Sequence, residues 1–219
     1  RHGLDRGIFW WDLADTYGTH PFARAALKEI KREKVVINSK VWPRETDEVG
    51  KVLERFFREL DTDYIDIVLL HCMRKADWPK TMKRPMEVLR EYKEKRRIRA
   101  LGVSCHAVGA LQAAVEEPWV DICLARFNPF AKVMDVDKPE RVPHVAKVLK
   151  KMHENGKVVY GMKILGEGYA KTDKQVDEAL RFALQQRWMS AFTIGMNTTA
   201  EVDDIIRRVK RLRIMASRS

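Results

Sequence analysis

Strand-like and helix-like segments alternate along the whole chain, and this alternation restricts the available folds more than any other feature. Short apolar runs rich in β-branched and aromatic residues read as buried strands at roughly 8–12, 35–39, 65–70, 98–103, 120–124, 157–161 and 191–194. Between them, apolar residues recur at helical spacing over roughly 21–33, 46–60, 84–96, 107–117, 138–154, 173–187 and 199–212. The punctuation agrees. Pro21 stands where a first helical turn begins, Asn155-Gly156 reads as a helix stop, and Thr198-Thr199-Ala200-Glu201 has capping-box spacing. Strict βα alternation implies a parallel sheet covered by helices. A closed (β/α)8 TIM barrel and an open doubly wound sheet both satisfy it. The G-x-G-x-x-G fingerprint follows none of the strands, which favours the barrel. Residues 1–219, with no linker or low-complexity break, read as a single barrel domain. Seven strands are countable where a barrel needs eight. Arg1 to Gly7 reads as a helix end with a glycine stop, so the first strand is expected upstream of Arg1.

Composition excludes several classes. The chain has 219 residues, 45% hydrophobic and 33% charged, which suits a packed globular core. No apolar run reaches membrane-span length and no leader pattern opens the sequence. Three widely spaced cysteines, Cys72, Cys105 and Cys123, suggest reduced thiols rather than a disulfide framework or a zinc site, and hence the cytoplasm, with an N-terminal leader beyond Arg1 left open. The formal net charge is +11. The basic residues cluster towards helix ends, where the macrodipole favours cations, and no nucleic-acid motif accompanies them. Neither a nucleic-acid nor a membrane partner is expected. No histidine pair has metal-ligand spacing.

Four polar residues fall at the ends of apolar runs. Asp12 follows Ile8-Phe9-Trp10-Trp11, and Tyr17 lies five residues later. Lys40 follows Val35-Val36-Ile37-Asn38-Ser39, and His71 follows Ile65 to Leu70. In a parallel barrel these positions form the active face. An acid, a phenol, an amine and an imidazole together make a proton-transfer set. Taken singly, each has a plainer explanation: a cap for Asp12 (and more so for Asp15), turn packing for Tyr17, a solvated lysine, a polar residue at the core margin for His71.

The stretch Asp12-Leu-Ala-Asp-Thr-Tyr-Gly18 resembles the signature of the aldo-keto reductases. Further pieces follow in family order: Asn38-Ser-Lys40-Val, the run Leu60 to His71, Arg99 to Ser104, Met162-Lys163-Ile-Leu165-Gly166-Glu-Gly168, and Ile194-Gly195-Met196-Asn197. The resemblance covers essentially the whole chain. It implies reduction of an aldehyde or ketone, a small-molecule carbonyl substrate, by hydride from NADPH or NADH. Tyr17 would be the general acid, Lys40 would lower the phenol pKa, Asp12 would hold Lys40, and His71 would donate a hydrogen bond to the carbonyl.

The resemblance also suggests cofactor contacts. Ser104 would bind the nicotinamide carboxamide, with Cys105 where the family usually has Asn, Leu124 where it often has Gln, and Met162 where an aromatic often stacks. Lys163, Leu165 and Gly166 would line the pyrophosphate, and Gly195, Met196, Asn197 and Thr198 would lead into a helix N-terminus suited to an anion. In the last helix Glu201, Asp203 and Asp204 stand where the family places a phosphate-binding Arg, which implies weak discrimination between NADP and NAD. Trp42 and Trp78 are candidate walls of a substrate pocket, or else seals over the barrel rim. The altered cofactor positions leave a second reading, a non-catalytic cofactor-binding sensor or auxiliary subunit on the same barrel.

Overall fold

The computed structural model describes residues 1–42 and 48–216. In chain order they form α1 (His2–Asp5), β1 (Trp10–Asp12), α2 (His20–Leu27), β2 (Val36–Val41), α3 (Glu48–Leu60), β3 (Ile65–Met73), α4 (Trp78–Thr81), α5 (Lys83–Glu94), β4 (Ile98–Cys105), α6 (Val108–Glu116), β5 (Ile122–Arg126), α7 (Val142–Glu154), β6 (Val158–Met162), α8 (Asp173–Leu184), β7 (Ala191–Phe192) and α9 (Thr199–Ala216). The seven strands pair in sequence order, and every pairing is parallel.

The sheet curls into a barrel wall. Trp10 of β1 and Tyr160 of β6 meet across its interior with ring centroids 4.9 Å apart. Among the described residues no pairing joins β1 to β7. Period-two alternation separates two layers. Ile67, Leu69, Ile122, Leu124, Tyr160 and Met162 face inward, while Ile37, Val41, Val68, Leu70, Val103 and Cys123 face the helices. The helices answer with apolar stripes: on α3, Val49, Leu53, Phe56, Phe57 and Leu60 are buried at three- and four-residue steps. At Gly102 the backbones of β4 and β5 approach so closely that an added Cβ would lie 1.7 Å from the Ile122 carbonyl oxygen, so only glycine fits.

The expected elements are present, with shifted limits. The helix read at 21–33 stops at Leu27; beyond it Arg32 opens a 3-10 turn and donates to Val35 O, Tyr64 O and the Asp66 carboxylate. The helix read at 46–60 is seen from Glu48, its first two residues lying outside the described ones. Strands β2 and β3 run on through Lys40 and His71, which therefore sit in the last strand residues rather than beyond them. The capping box at α9 is formed: Glu201 N donates to Thr198 Oγ1 at 3.2 Å. No described helix is long and apolar enough to cross a membrane.

Candidate active site

Asp12, Asn38, Lys40, His71 and Ser104 share the inward parity near the C-terminal ends of β1 to β4, above the apolar layer. Tyr17 reaches them from a short 3-10 turn, Asp15–Tyr17, after β1, closed by Gly18 in the left-handed region (φ 64°). The polar end of the interior is thus assembled from strand ends and one turn, as a parallel barrel allows.

Lys40 is the centre of the cluster. It is 1% exposed. Its ammonium donates to Asp12 Oδ1 at 2.7 Å and to the Leu13 carbonyl at 2.8 Å. The same Asp12 oxygen accepts from Asn38 Nδ2 at 2.5 Å. Burial lowers the Lys40 pKa, and the Asp12 carboxylate works against that fall. Lys40 Nζ lies 4.8 Å from the centre of the Tyr17 ring. The Tyr17 ring stands edge-on to His71 at 5.9 Å, and Trp42 also stands edge-on to His71, at 5.3 Å.

One expectation is reversed here. The net shift of the Tyr17 phenol in this geometry is upward, not downward. Burial, then the charges of Asp12, Cys72 and Glu167, push the phenol up to about 12. Burial is the largest cause; the ammonium itself is hydrogen-bonded to Asp12 and Leu13 and stands over the phenol ring. His71 is pushed down to about 4 by burial and by the Lys40 charge, so its ring is neutral near pH 7. Its Nδ1 is buried without a hydrogen-bond partner among the described residues.

The cofactor candidates divide. Ser104 is fully buried and faces the site, and its hydroxyl accepts from Cys72 N–H at 2.8 Å. Met162 is in the interior layer beside Leu124 and Tyr160. Lys163 lies in a loop of repeated positive φ (Lys163 58°, Gly166 64°, Glu167 54°, Gly168 87°), with Nζ held by Glu167 at 2.7 Å. Leu165 packs with Ile164, Phe192 and Ile194. Gly166 is tight against Tyr169 and Lys132, whereas Gly195 faces open space. Asn197 N and Thr198 N both donate to the Glu201 carboxylate, at 2.6 and 3.4 Å, and Met196 is partly buried beside them.

Two assignments are corrected. Cys105 has outward parity, is fully buried under the helices and lies 3.9 Å from the Cys123 sulfur, so it cannot touch a cofactor in the interior. Trp78 is 2% exposed in the helix layer, its indole N–H donating to Ala110 O, so it lines no substrate pocket. The acidic residues of α9 also read differently. Asp203 pairs with His2 and Arg6, and Asp204 with Arg207 and Arg208. They are interhelical and intrahelical ion pairs, not free charges.

Sequence reasoning missed three contributors. Asn38 fixes Asp12; a polar residue at inward parity in an apolar strand was its signal. Asn128, fully buried, donates to Lys132 O and Lys163 O and accepts from Phe130 N and Lys132 N, tying two rim loops together. Asp15 is not a cap: its carboxylate is hydrogen-bonded by Arg55 of α3.

The residues present fit a pyridine dinucleotide. The Lys163 cation and the open backbone at Gly195 lie on the same rim as the buried, unpartnered His71 Nδ1, and Ser104 and Met162 floor the interior between them.

Comparison with known proteins gives the family and the fold. The chain matches the Aldo/keto reductase family over residues 1–212. It is 30% identical over 115 residues to an uncharacterized oxidoreductase of Caenorhabditis elegans, covering 48% of this chain and 35% of that protein. It is 37% identical over 73 residues to an NAD/NADP-dependent indole-3-acetaldehyde reductase of Schizosaccharomyces pombe, covering 32% of this chain and 25% of that protein. The chain thus spans no more than about a third of the length of these curated relatives. Among solved structures, a holo aldo-keto reductase of Bacillus halodurans superposes with a TM-score of 0.75 at 19% identity, over 95% of this chain and 78% of that one. An aldo/keto reductase of Klebsiella pneumoniae in complex with NADP and acetate gives 0.72 at 18% identity, over 95% and 77%.

Proposed function

Because the chain belongs to the aldo/keto reductase family, we propose that it reduces a small aldehyde or ketone to the alcohol, with NADPH or NADH as hydride donor. The observation that supports this most is Lys40: a buried ammonium held by a carboxylate, directly beneath a half-exposed tyrosine and next to a neutral histidine. A bound nicotinamide supplies the hydride. The chain's own residues manage the proton. Tyr17, protonated at neutral pH, donates from its hydroxyl to the carbonyl oxygen. The phenolate this leaves is next to the Lys40 ammonium, which stabilises the developing negative charge. Asp12 and Asn38 fix Lys40, so little reorganisation accompanies the transfer. Neutral His71 offers a ring N–H to the same carbonyl oxygen and sets its approach. Trp42, 37% exposed and against His71, forms the apolar wall on the substrate side. Ser104, Met162, Lys163 and the loop from Gly195 to Thr198 would hold the nucleotide.

The test is Tyr17→Phe. Carbonyl reduction should fall by about 10²–10⁴-fold while dinucleotide titration stays near the parent value. Parent-level reduction by the variant would remove Tyr17 from the mechanism. Tight dinucleotide binding by the parent, with no turnover on any carbonyl of a broad panel, would favour the sensor reading.

A further inference from the structure

Tyr17 is carried by a three-residue turn, and such turns are the least constrained part of a barrel rim. Behind it, a cleft of about 230 Å³ lined by Asp15, Thr16, Trp42, Val52 and Arg55 separates the turn from α3. Among the described residues, then, the turn rests on polar links more than on close packing.

One continuous link runs through five side chains. Ser39 is the residue before Lys40 on β2. Its outward parity buries it fully beneath the helices, where its hydroxyl lies 2.9 Å from His20 Nε2. His20 begins α2, is 2% exposed, and stands edge-on to Phe56 of α3 at 4.5 Å. His20 Nδ1 lies 2.7 Å from Glu59 Oε2. Burial lowers the His20 pKa below its usual value. The neutral tautomer that satisfies both neighbours donates from Nδ1 to Glu59 and accepts at Nε2 from the Ser39 hydroxyl. Glu59 Oε1 accepts from Arg55 Nη1 at 2.8 Å, and Arg55 Nη2 donates to Asp15 Oδ1. Asp15 is two residues before Tyr17. Each donor in the series meets an acceptor, so the network is satisfied from end to end and should hold its ends rigidly.

The two ends matter. One adjoins Lys40, the other adjoins Tyr17, and nothing in the catalytic cluster itself bonds the Tyr17 hydroxyl among the described residues. We propose that Arg55, acting through Asp15, is the positioning residue that sets Tyr17 against Lys40, with Ser39, His20 and Glu59 anchoring Arg55 to the strand that bears Lys40. This rests on the reductase reading for its effect on turnover, but not for its effect on the turn. Arg55 bonds Glu59 and Asp15 rather than Tyr17, Lys40 or His71 among the described residues; its guanidinium fork spans two carboxylates on different elements, which a single-point cation does less well.

The experiment uses the full chain and four variants: Arg55→Met, Arg55→Lys, Asp15→Asn and the double variant of Asp15→Asn with Arg55→Met. Amide hydrogen exchange of the segment 13–19 reads the turn directly, since Tyr17 N donates to Ala14 O within it. Carbonyl reduction, dinucleotide affinity and thermal midpoint are measured alongside. Arg55→Met and Asp15→Asn should each speed exchange in 13–19 while the rest of the chain is unchanged. Each should lower kcat about tenfold with dinucleotide affinity and midpoint preserved. The double variant should be no worse than either single one, because both break the same link. Arg55→Lys should recover part of both losses. Unchanged exchange in 13–19, or additive losses in the double variant, would overturn the proposal. A parent chain without any reductase activity would overturn the functional reading instead, and the exchange result would still decide the role of Arg55.

Discussion

Replacing Asp12 with Asn isolates the charge on which the cluster turns. The amide keeps the volume and an acceptor oxygen 2.7 Å from Lys40 Nζ but removes the counter-charge of a lysine that is 1% exposed. At that separation the lost attraction is about 6 kcal/mol for an effective dielectric of about 20. The folded variant has another course, which is to release the lysine proton. Starting from an unfolded-state value of about 10.4, that costs about 4.6 kcal/mol at pH 7 and about 1.2 kcal/mol at pH 9.5. Neutralisation therefore caps the damage at about 3–5 kcal/mol at pH 7 and about 1 kcal/mol at pH 9.5. The sign follows from burial, which already lowers the Lys40 pKa in the parent and would do so further without Asp12. The unfolded chain then binds more protons than the folded one between the depressed value and the free value, so the variant gains stability as pH rises through that window. Urea unfolding of parent and Asp12→Asn at pH 7 and pH 9.5 measures it. A deficit below about 1 kcal/mol at pH 7, or one of equal size at both pH values, would refute the view of Lys40 as a buried, carboxylate-held ammonium.

Other outcomes follow from the same geometry. With Tyr17 raised to about 12 and His71 lowered to about 4, reduction should be insensitive to pH from 6 to 9, falling only as pH drops towards the His71 value or climbs towards that of Tyr17; a steady-state pH–rate profile with an inflection near neutrality would contradict it. Iodoacetamide should label one of the three cysteines in the folded chain, since Cys105 and Cys123 are fully buried and Cys72 is not, and all three in denaturant; mass mapping decides. NADPH and NADH should bind within about tenfold of each other at moderate salt, whereas a hundredfold preference for NADPH that collapses with salt would reveal a phosphate clamp with about 2.7 kcal/mol of selectivity.

The alternation of elements was legible because it rests on local periodicity, and the parallel sheet follows from it. Element limits were less so, because they depend on partners far along the chain: Arg32, read as the end of α2, lies outside that helix and bonds Asp66, a residue 34 positions on. At the site, Asp12, Lys40 and His71 were readable as polar residues ending apolar runs and Tyr17 by its place five residues after Asp12, while the role of each came with the family resemblance. Parity could have corrected one error, since period two puts Ser104 inward and Cys105 outward. It could not have placed Trp78, whose burial depends on how α4 meets α6. The chain of bonds from Ser39 to Asp15 was invisible, because each link joins residues that only the packed βα units bring together. The direction of the Tyr17 shift was also beyond sequence: it depends on how far the phenol is buried and on which negative groups face it.

The acidic start of α9 shows how a charge count can mislead without geometry. Read along the sequence, Glu201, Asp203 and Asp204 form a negative patch set against a cofactor phosphate. In the folded chain Asp203 draws α1 to α9 through His2 and Arg6, while Asp204 shares Arg208 with Asp173 and Asp177 of α8. Asp203 and Asp204 are thus paired with cations of the chain itself and are not free charges set against a cofactor phosphate. Glu201 acts on the loop itself, accepting from the Asn197 and Thr198 amides. A helix start already satisfied by its own carboxylate has less to gain from an anionic ligand than one with free amides. Weak discrimination between the two dinucleotides, if measured, would then be traced to occupied donors rather than to repelling charges.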